Sequence, residues 1–183
     1  ATEKGYMNAY TLGSPDSAYT NLLPGYFKEA FEANGGKVIG EGTFSMGQPS
    51  FSVIVDEIKA LSPAPDVIMT PAYEPDFPTF IKALRGAGIT AAVLGTDGID
   101  SPTTLALADI AEGVTYTTAG VLKNEGAMAT FFTDYNTKYG KDPETIYAVT
   151  GYELGLTLDA VVKQAQSCDP DAIWQARSNL EGA

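Results

Sequence analysis

DVIMTPAYEPDFPTFIKALRGAGITAAVLGTDGID, residues 66–100, is the stretch that decides the fold. It divides into a short apolar run (DVIMT), a polar loop (PAYEPD), a helical segment (FPTFIKALRGAGI), a second apolar run (AAVLG) and a second polar loop (TDGID). Short apolar runs bounded by turn residues are what buried parallel strands look like. Phe77, Phe80, Ile81 and Leu84 fall at helical spacing, so one face of the middle segment is apolar, and Gly86 and Gly88 close it. A strand–helix–strand unit of this length makes a right-handed crossover between parallel strands. The polar loops then leave the strands' carboxyl ends, where open α/β sheets hold their ligands. Tyr73 and Asp97 stand in those loops.

Toward the amino end the same alternation continues. Residues 6–12 (YMNAYTL) and 37–44 (KVIGEGTF) are expected strands. Between them a helix is expected from about Leu22 to Asn34, with Pro24 in its first turn, where proline is tolerated. Phe51, Ile54, Val55, Ile58 and Leu61 predict a further amphipathic helix, stopped by Pro63 and Pro65. Beyond residue 100, Ser101-Pro102 is a helix-start signal and GVTYTT is a fifth strand. The expected fold class is therefore α/β, a doubly wound parallel sheet of about five strands.

From Val121 onward only helices are expected: Ala127 to Tyr139, Ile146 to Gln166, and one capped by Asp169-Pro170 that runs to Leu180. Met128, Phe131, Phe132 and Tyr135 make the apolar face of the first. Helices with apolar faces and no strands of their own must pack on something. If nothing covers them, Phe131, Phe132 and Val161 are expected to stand bare and to drive self-association.

Composition narrows the function. The 183 residues carry a formal net charge of −12 and no histidine. An anionic surface does not neutralise nucleic-acid phosphates, nor does it dock on anionic membrane. Without histidine, acid–base catalysis would fall to carboxylates, lysine or tyrosine. Cys168 has no histidine to activate it and no second cysteine to pair with. His/Cys metal sites are excluded, and neither a dinucleotide fingerprint nor a phosphate-binding loop occurs. No cofactor is expected. Asp97, Asp100 and Glu74 could share a divalent cation, though their spacing is not that of an EF-hand loop. No apolar run approaches the roughly 20 residues of a spanning helix, and no leader is legible in the polar residues that open the chain.

Three loops follow three strands: SPDSAYT, PAYEPD and TDGID. Tyr19 and Tyr73 each offer an aromatic face and a hydroxyl, and Asp97 a carboxylate suited to an ammonium group. Taken singly, each has an ordinary explanation: a tyrosine at a helix start is more often packing, and an aspartate before glycine is usually a turn residue. Their coincidence at one predicted sheet edge is what marks them as a candidate site.

Four segments, 16–44 (DSAYTNLLPGYFKEAFEANGGKVIGEGTF), 51–89 (FSVIVDEIKALSPAPDVIMTPAYEPDFPTFIKALRGAGI), 93–118 (VLGTDGIDSPTTLALADIAEGVTYTT) and 131–180, taken in this order, resemble the type I periplasmic solute-binding proteins of ABC importers. The leucine/isoleucine/valine-binding branch is the most similar. The resemblance implies two α/β lobes that close on a small amino acid, of which this chain matches the later half. Residues 1–119 would be the C-terminal ligand-binding lobe, and residues 120–183 a helical segment of the N-terminal lobe. It implies that Tyr19 and Tyr73 contact the ligand and that Asp97 receives its α-ammonium. The carboxylate-binding residues would lie on the other lobe, outside this sequence. It further implies delivery to the membrane subunits of an ABC permease, and a periplasmic or extracellular location, lipid-anchored in a Gram-positive cell. The same fold serves sensory and regulatory ligand-binding domains, and a GTDG segment also occurs in members that bind amides or aromatic acids. These alternatives stay open, and an enzyme is not expected.

Overall fold

The computed structural model describes residues 1–126 and 128–180. The chain divides into two compact units, Ala1–Thr118 and Ala119–Ala183.

The first unit is built on strands β1 (Asn8–Gly13), β2 (Lys37–Thr43), β3 (Val67–Met69), β4 (Ala92–Gly95) and β5 (Val114–Tyr116). They form one sheet in the order β2-β1-β3-β4-β5 with every neighbouring pair parallel, the doubly wound arrangement that the residue pattern predicts. Helices α1 (Ala18–Ala33), α2 (Ser52–Ala60) and α3 (Asp76–Gly86) make the crossovers, and a short α4 (Pro102–Leu105) precedes β5.

Successive side chains of a strand point to opposite faces, and this alternation sorts the core. Tyr10, Leu12, Ile68 and Val93 join Phe51, Ile54, Val55 and Ile58 at α2 and Phe77, Phe80, Ile81 and Leu84 of α3 in the main cluster. Ala9 and Val67, one residue earlier on their strands, pack with Phe31 of α1. The apolar stripes expected for α2 and α3 are the ones buried, except that Leu61 lies just past the end of α2 and is half-buried. β1 lies inside the sheet and is closed on both faces; even its Thr11 is buried.

Helix α1 departs from expectation. It begins at Ala18, so Pro24 lies in its interior rather than in its first turn. Ser17 makes the earlier start, its side chain accepting from the Thr20 N–H at 3.2 Å. An interior proline removes the N–H that would bond the carbonyl four residues back. That carbonyl belongs to Thr20, and the Ser14 N–H donates to it at 3.2 Å. The Thr20 hydroxyl returns a bond to Ser14 O at 2.9 Å. Gly13 makes the approach possible: a Cβ there would sit 2.8 Å from Thr20 O and 2.9 Å from Pro24 Cγ. The loop after β1 is thereby stitched to the first turns of α1.

The second unit holds α5 (Met128–Tyr139), α6 (Ile146–Ala165) and α7 (Pro170–Ala176). The expected first residue of α5, Ala127, lies outside the described residues, as do residues 181–183 of the expected helical segment. Asp169 caps α7, its Oδ1 accepting from the Asp171 and Ala172 N–H groups at 3.1 and 3.0 Å. The expected burial is corrected in detail. Of the α5 face only Phe132 is buried; Phe131 is half-buried against the rings of Tyr135 and Tyr152, at 5.5 and 5.2 Å. Phe132 and Val161 are not bare but buried, and the exposed apolar side chains instead include Tyr147, Tyr152, Leu154, Leu156, Leu158 and Trp174. The reason is that apolar residues of α6 fall on several faces and outnumber what is covered, so Ile146, Val149 and Val161 are buried while Leu154, Leu156 and Leu158 stay exposed.

Candidate functional site

In a sheet of this order the chain winds to opposite faces on either side of the boundary between β1 and β3, and a crevice opens there at the carboxyl ends. The loops after β1, β3 and β4 meet at this end. Tyr19 stands in the first turn of α1, Tyr73 in the loop between β3 and α3, and Asp97 opens a single 3-10 turn (Asp97–Ile99) after β4. All three are half-buried.

The structure brings these three together. The Tyr19 hydroxyl lies 2.6 Å from Asp97 Oδ1 and 2.6 Å from Thr96 Oγ1, with the Gly98 N–H at 3.4 Å. With one proton to give, the phenol donates to the carboxylate, the stronger acceptor. Burial and the bond to Asp97 raise the pKa of Tyr19 above its ordinary value, so it stays a neutral donor. The Tyr19 and Tyr73 rings meet edge to face, with centroids 6.2 Å apart. Gly98 explains the close fit, since a Cβ there would lie 2.9 Å from Tyr73 Cβ. At its other end the Tyr73 hydroxyl donates to Met46 Sδ at 3.6 Å.

A second tier of carboxylates holds the surrounding loops. Asp16 Oδ2 accepts from the Met46 N–H at 2.7 Å, and Asp76 Oδ1 from the Gly47 N–H at 2.8 Å. Asp100 takes the Tyr116 hydroxyl at 3.2 Å and the Thr118 hydroxyl at 2.5 Å. Glu74 accepts from the Ser101 hydroxyl. Asp97, Asp100 and Glu74 thus each have a protein donor, and no three His, Cys, Asp or Glu side chains gather as a metal site among the described residues. The shared-cation alternative has no geometric support. Loops 14–17, 44–51, 70–75 and 96–101 contain no lysine or arginine. The rim is therefore anionic and aromatic, suited to a cation or a hydrogen-bond donor and ill suited to a carboxylate.

Thr96, Gly98 and Met46 are the members that sequence reasoning missed. Gly98 had a signal, since glycine directly after an aspartate in a loop suggests a close backbone approach. Met46 had none.

Comparison with known proteins places this geometry in context. A family model described as periplasmic binding protein matches residues 1–181. No curated protein matches the chain. Among solved structures, a leucine-binding protein LivK from Thermotoga maritima is 25% identical with a TM-score of 0.83, over 96% of this chain and 50% of that one. A solute-binding protein of an ABC transporter from Rhodopseudomonas palustris BisB5, in complex with 3,4-dihydroxybenzoic acid, is 25% identical with a TM-score of 0.78, over 96% and 49%. A branched-chain amino acid transporter substrate-binding protein LivJ from Streptococcus pneumoniae, in complex with isoleucine, shares the fold at 20% identity and a TM-score of 0.75, over 96% and 49%. The chain spans about half the length of the structures it matches. No helix among the described residues is long and apolar enough to cross a membrane.

Proposed function

The chain belongs to the periplasmic binding protein family, and on that premise we propose that it captures a small amino acid, of branched-chain type, for uptake by an ABC transporter. Tyr19, Tyr73 and Asp97 are the ligand-binding residues in this proposal. The observation that carries it is their convergence: a carboxylate and two phenols within hydrogen-bond or ring contact, at the switch point of a parallel sheet. Asp97 would receive the α-ammonium through charge-assisted hydrogen bonds, and the tyrosine rings would cover the aliphatic side chain. The unit Ala1–Thr118 would act as one lobe, and the helices α5 to α7 would belong to the other. Closure of the two lobes would exclude water and strengthen the ion pair. Membrane permease subunits would be the partner, and the location periplasmic or extracellular.

An aromatic acid is the second candidate. Two tyrosines in edge contact favour it, as does the dihydroxybenzoate held by the relative from R. palustris. Such a ligand would turn its hydroxyls, not its carboxylate, toward Asp97.

A thermal-shift screen of aliphatic amino acids, amides and aromatic acids against the full-length protein carrying this chain separates the candidates. The expected outcome is a rise with leucine, isoleucine or valine. Asp97→Ala should then weaken binding by roughly 2–5 kcal/mol, the cost of removing one partner of a buried charge pair. Calorimetry that finds unchanged amino-acid affinity in that variant removes the proposed role.

A further inference from the structure

Tyr73 is held at both ends. Its Cβ rests on Gly98, beside Asp97, and its hydroxyl reaches Met46 Sδ at 3.6 Å. The ring therefore runs from a polar pole (Asp97, Thr96, the Tyr19 hydroxyl) to an apolar one (Met46). Met46 does not reach that place by chance of a floppy loop. Its own N–H is bound by Asp16 from the loop after β1, at 2.7 Å. The next N–H, of Gly47, is bound by Asp76 at the start of α3, at 2.8 Å. Gly47 adopts φ +76, which lets the chain turn between the two carboxylates. The Ser45 N–H is taken by Gln48 Oε1 at 3.0 Å. Charge-assisted bonds to successive N–H groups, from two different elements, fix the tip of this loop over the end of Tyr73.

We propose that Met46 closes the apolar end of the solute site and limits the length of side chain it accepts, with Asp16 and Asp76 as the positioning residues that hold it there. The proposal rests on the solute-binding function above. An amino acid whose ammonium meets Asp97 lays its side chain along the Tyr73 ring and ends at the thioether. A thioether is unbranched and polarisable, so it conforms to an aliphatic end yet still bounds the space.

The test uses the full-length protein carrying this chain, with calorimetry against L-alanine, L-valine, L-leucine, L-methionine and L-phenylalanine. Met46→Ala is expected to shift preference toward L-methionine and L-phenylalanine over L-valine by on the order of tenfold, the discrimination that one methylene gives in an apolar pocket. Met46→Leu conserves volume and should restore the wild-type order. Asp76→Ala should narrow the differences between ligands, and Asp76→Asn, whose Oδ1 still accepts the Gly47 N–H, should restore them. An unchanged order in Met46→Ala, while Asp97→Ala abolishes binding, overturns the length limit alone. Failure of the wild type to bind any of the five overturns the limit and the function it rests on together.

Discussion

Asp76 is a buried carboxyl under opposing influences. Burial raises its pKa, the Gly47 N–H lowers it, and the neighbouring Asp16 raises it again; the net direction is up. A carboxyl whose folded pKa exceeds its unfolded value binds its proton more tightly when folded, so its charge opposes folding at neutral pH and the penalty fades as pH falls. Asp76→Asn is therefore expected to melt higher than wild type at pH 7, with the difference closing as pH approaches the ordinary value of 3.8. Thermal melts across that range check it, and an equal or lower melting point at pH 7 contradicts it. Asp66 has the opposite sign. It accepts from the Asn8 and Met7 N–H groups at 2.8 and 2.9 Å, which lowers its pKa. Its contribution is present above 3.8 and is lost as pH falls through the depressed value. Tyr10 supplies another test. Its hydroxyl is buried and has no hydrogen-bond partner among the described residues, and burial together with Glu57 raises its pKa to about 12. A buried unpaired hydroxyl costs about 1–3 kcal/mol, so Tyr10→Phe should leave stability unchanged or raise it by about 1 kcal/mol in urea unfolding. A loss of that size would reveal a bond to the hydroxyl. At this scale the candidates Tyr19, Tyr73 and Asp97 stood out in the sequence because each is chemically conspicuous in a short loop, and the contacts among them are what the structure adds. Thr96 and Met46 were not, because their part depends on neighbours distant in sequence.

The elements were legible where periodicity spoke and less so where local bonds intervened. For α2 and α3 the 3.6-residue stripe both placed the helices and named their buried faces. For α1 the proline suggested a later start, while Ser17 and the exchange between Ser14 and Thr20 allow the helix to run through it. Pro24→Ala follows from this. An interior proline ordinarily costs a helix about 3 kcal/mol. Here the carbonyl it leaves is already used by Ser14, and the backbone N–H that the substitution restores would compete for it. The expected gain in denaturant unfolding is well below 3 kcal/mol, with weaker hydrogen-exchange protection at the Ser14 amide. A gain near the full amount would mean that the Ser14 bond contributes little. Because this loop carries the start of α1, the same substitution should disturb Tyr19 more than the core.

At the scale of the molecule, α6 exposes Tyr147, Leu154 and Leu158 on one flank and Tyr152 and Leu156 on another, apolar side chains of a kind that soluble chains seldom leave bare in such number. The expected behaviour of these 183 residues alone is concentration-dependent self-association, reduced by paired Leu154→Lys and Leu158→Lys substitutions. Size exclusion with light scattering decides, and a monomer at every concentration would show that no second copy covers these leucines. Two properties followed from the residues alone: alternation of strand and helix, written in local hydrophobic period, and the polar loops at the strands' carboxyl ends. Local pattern can carry these because burial of one face is decided within a few residues. Strand order, the meeting of Tyr19 with Asp97 across 78 positions, and which apolar residues of α6 are left to solvent were decided only by tertiary structure. Hydrogen bonds and packing between distant segments depend on where the backbone returns, and a linear pattern does not encode that return.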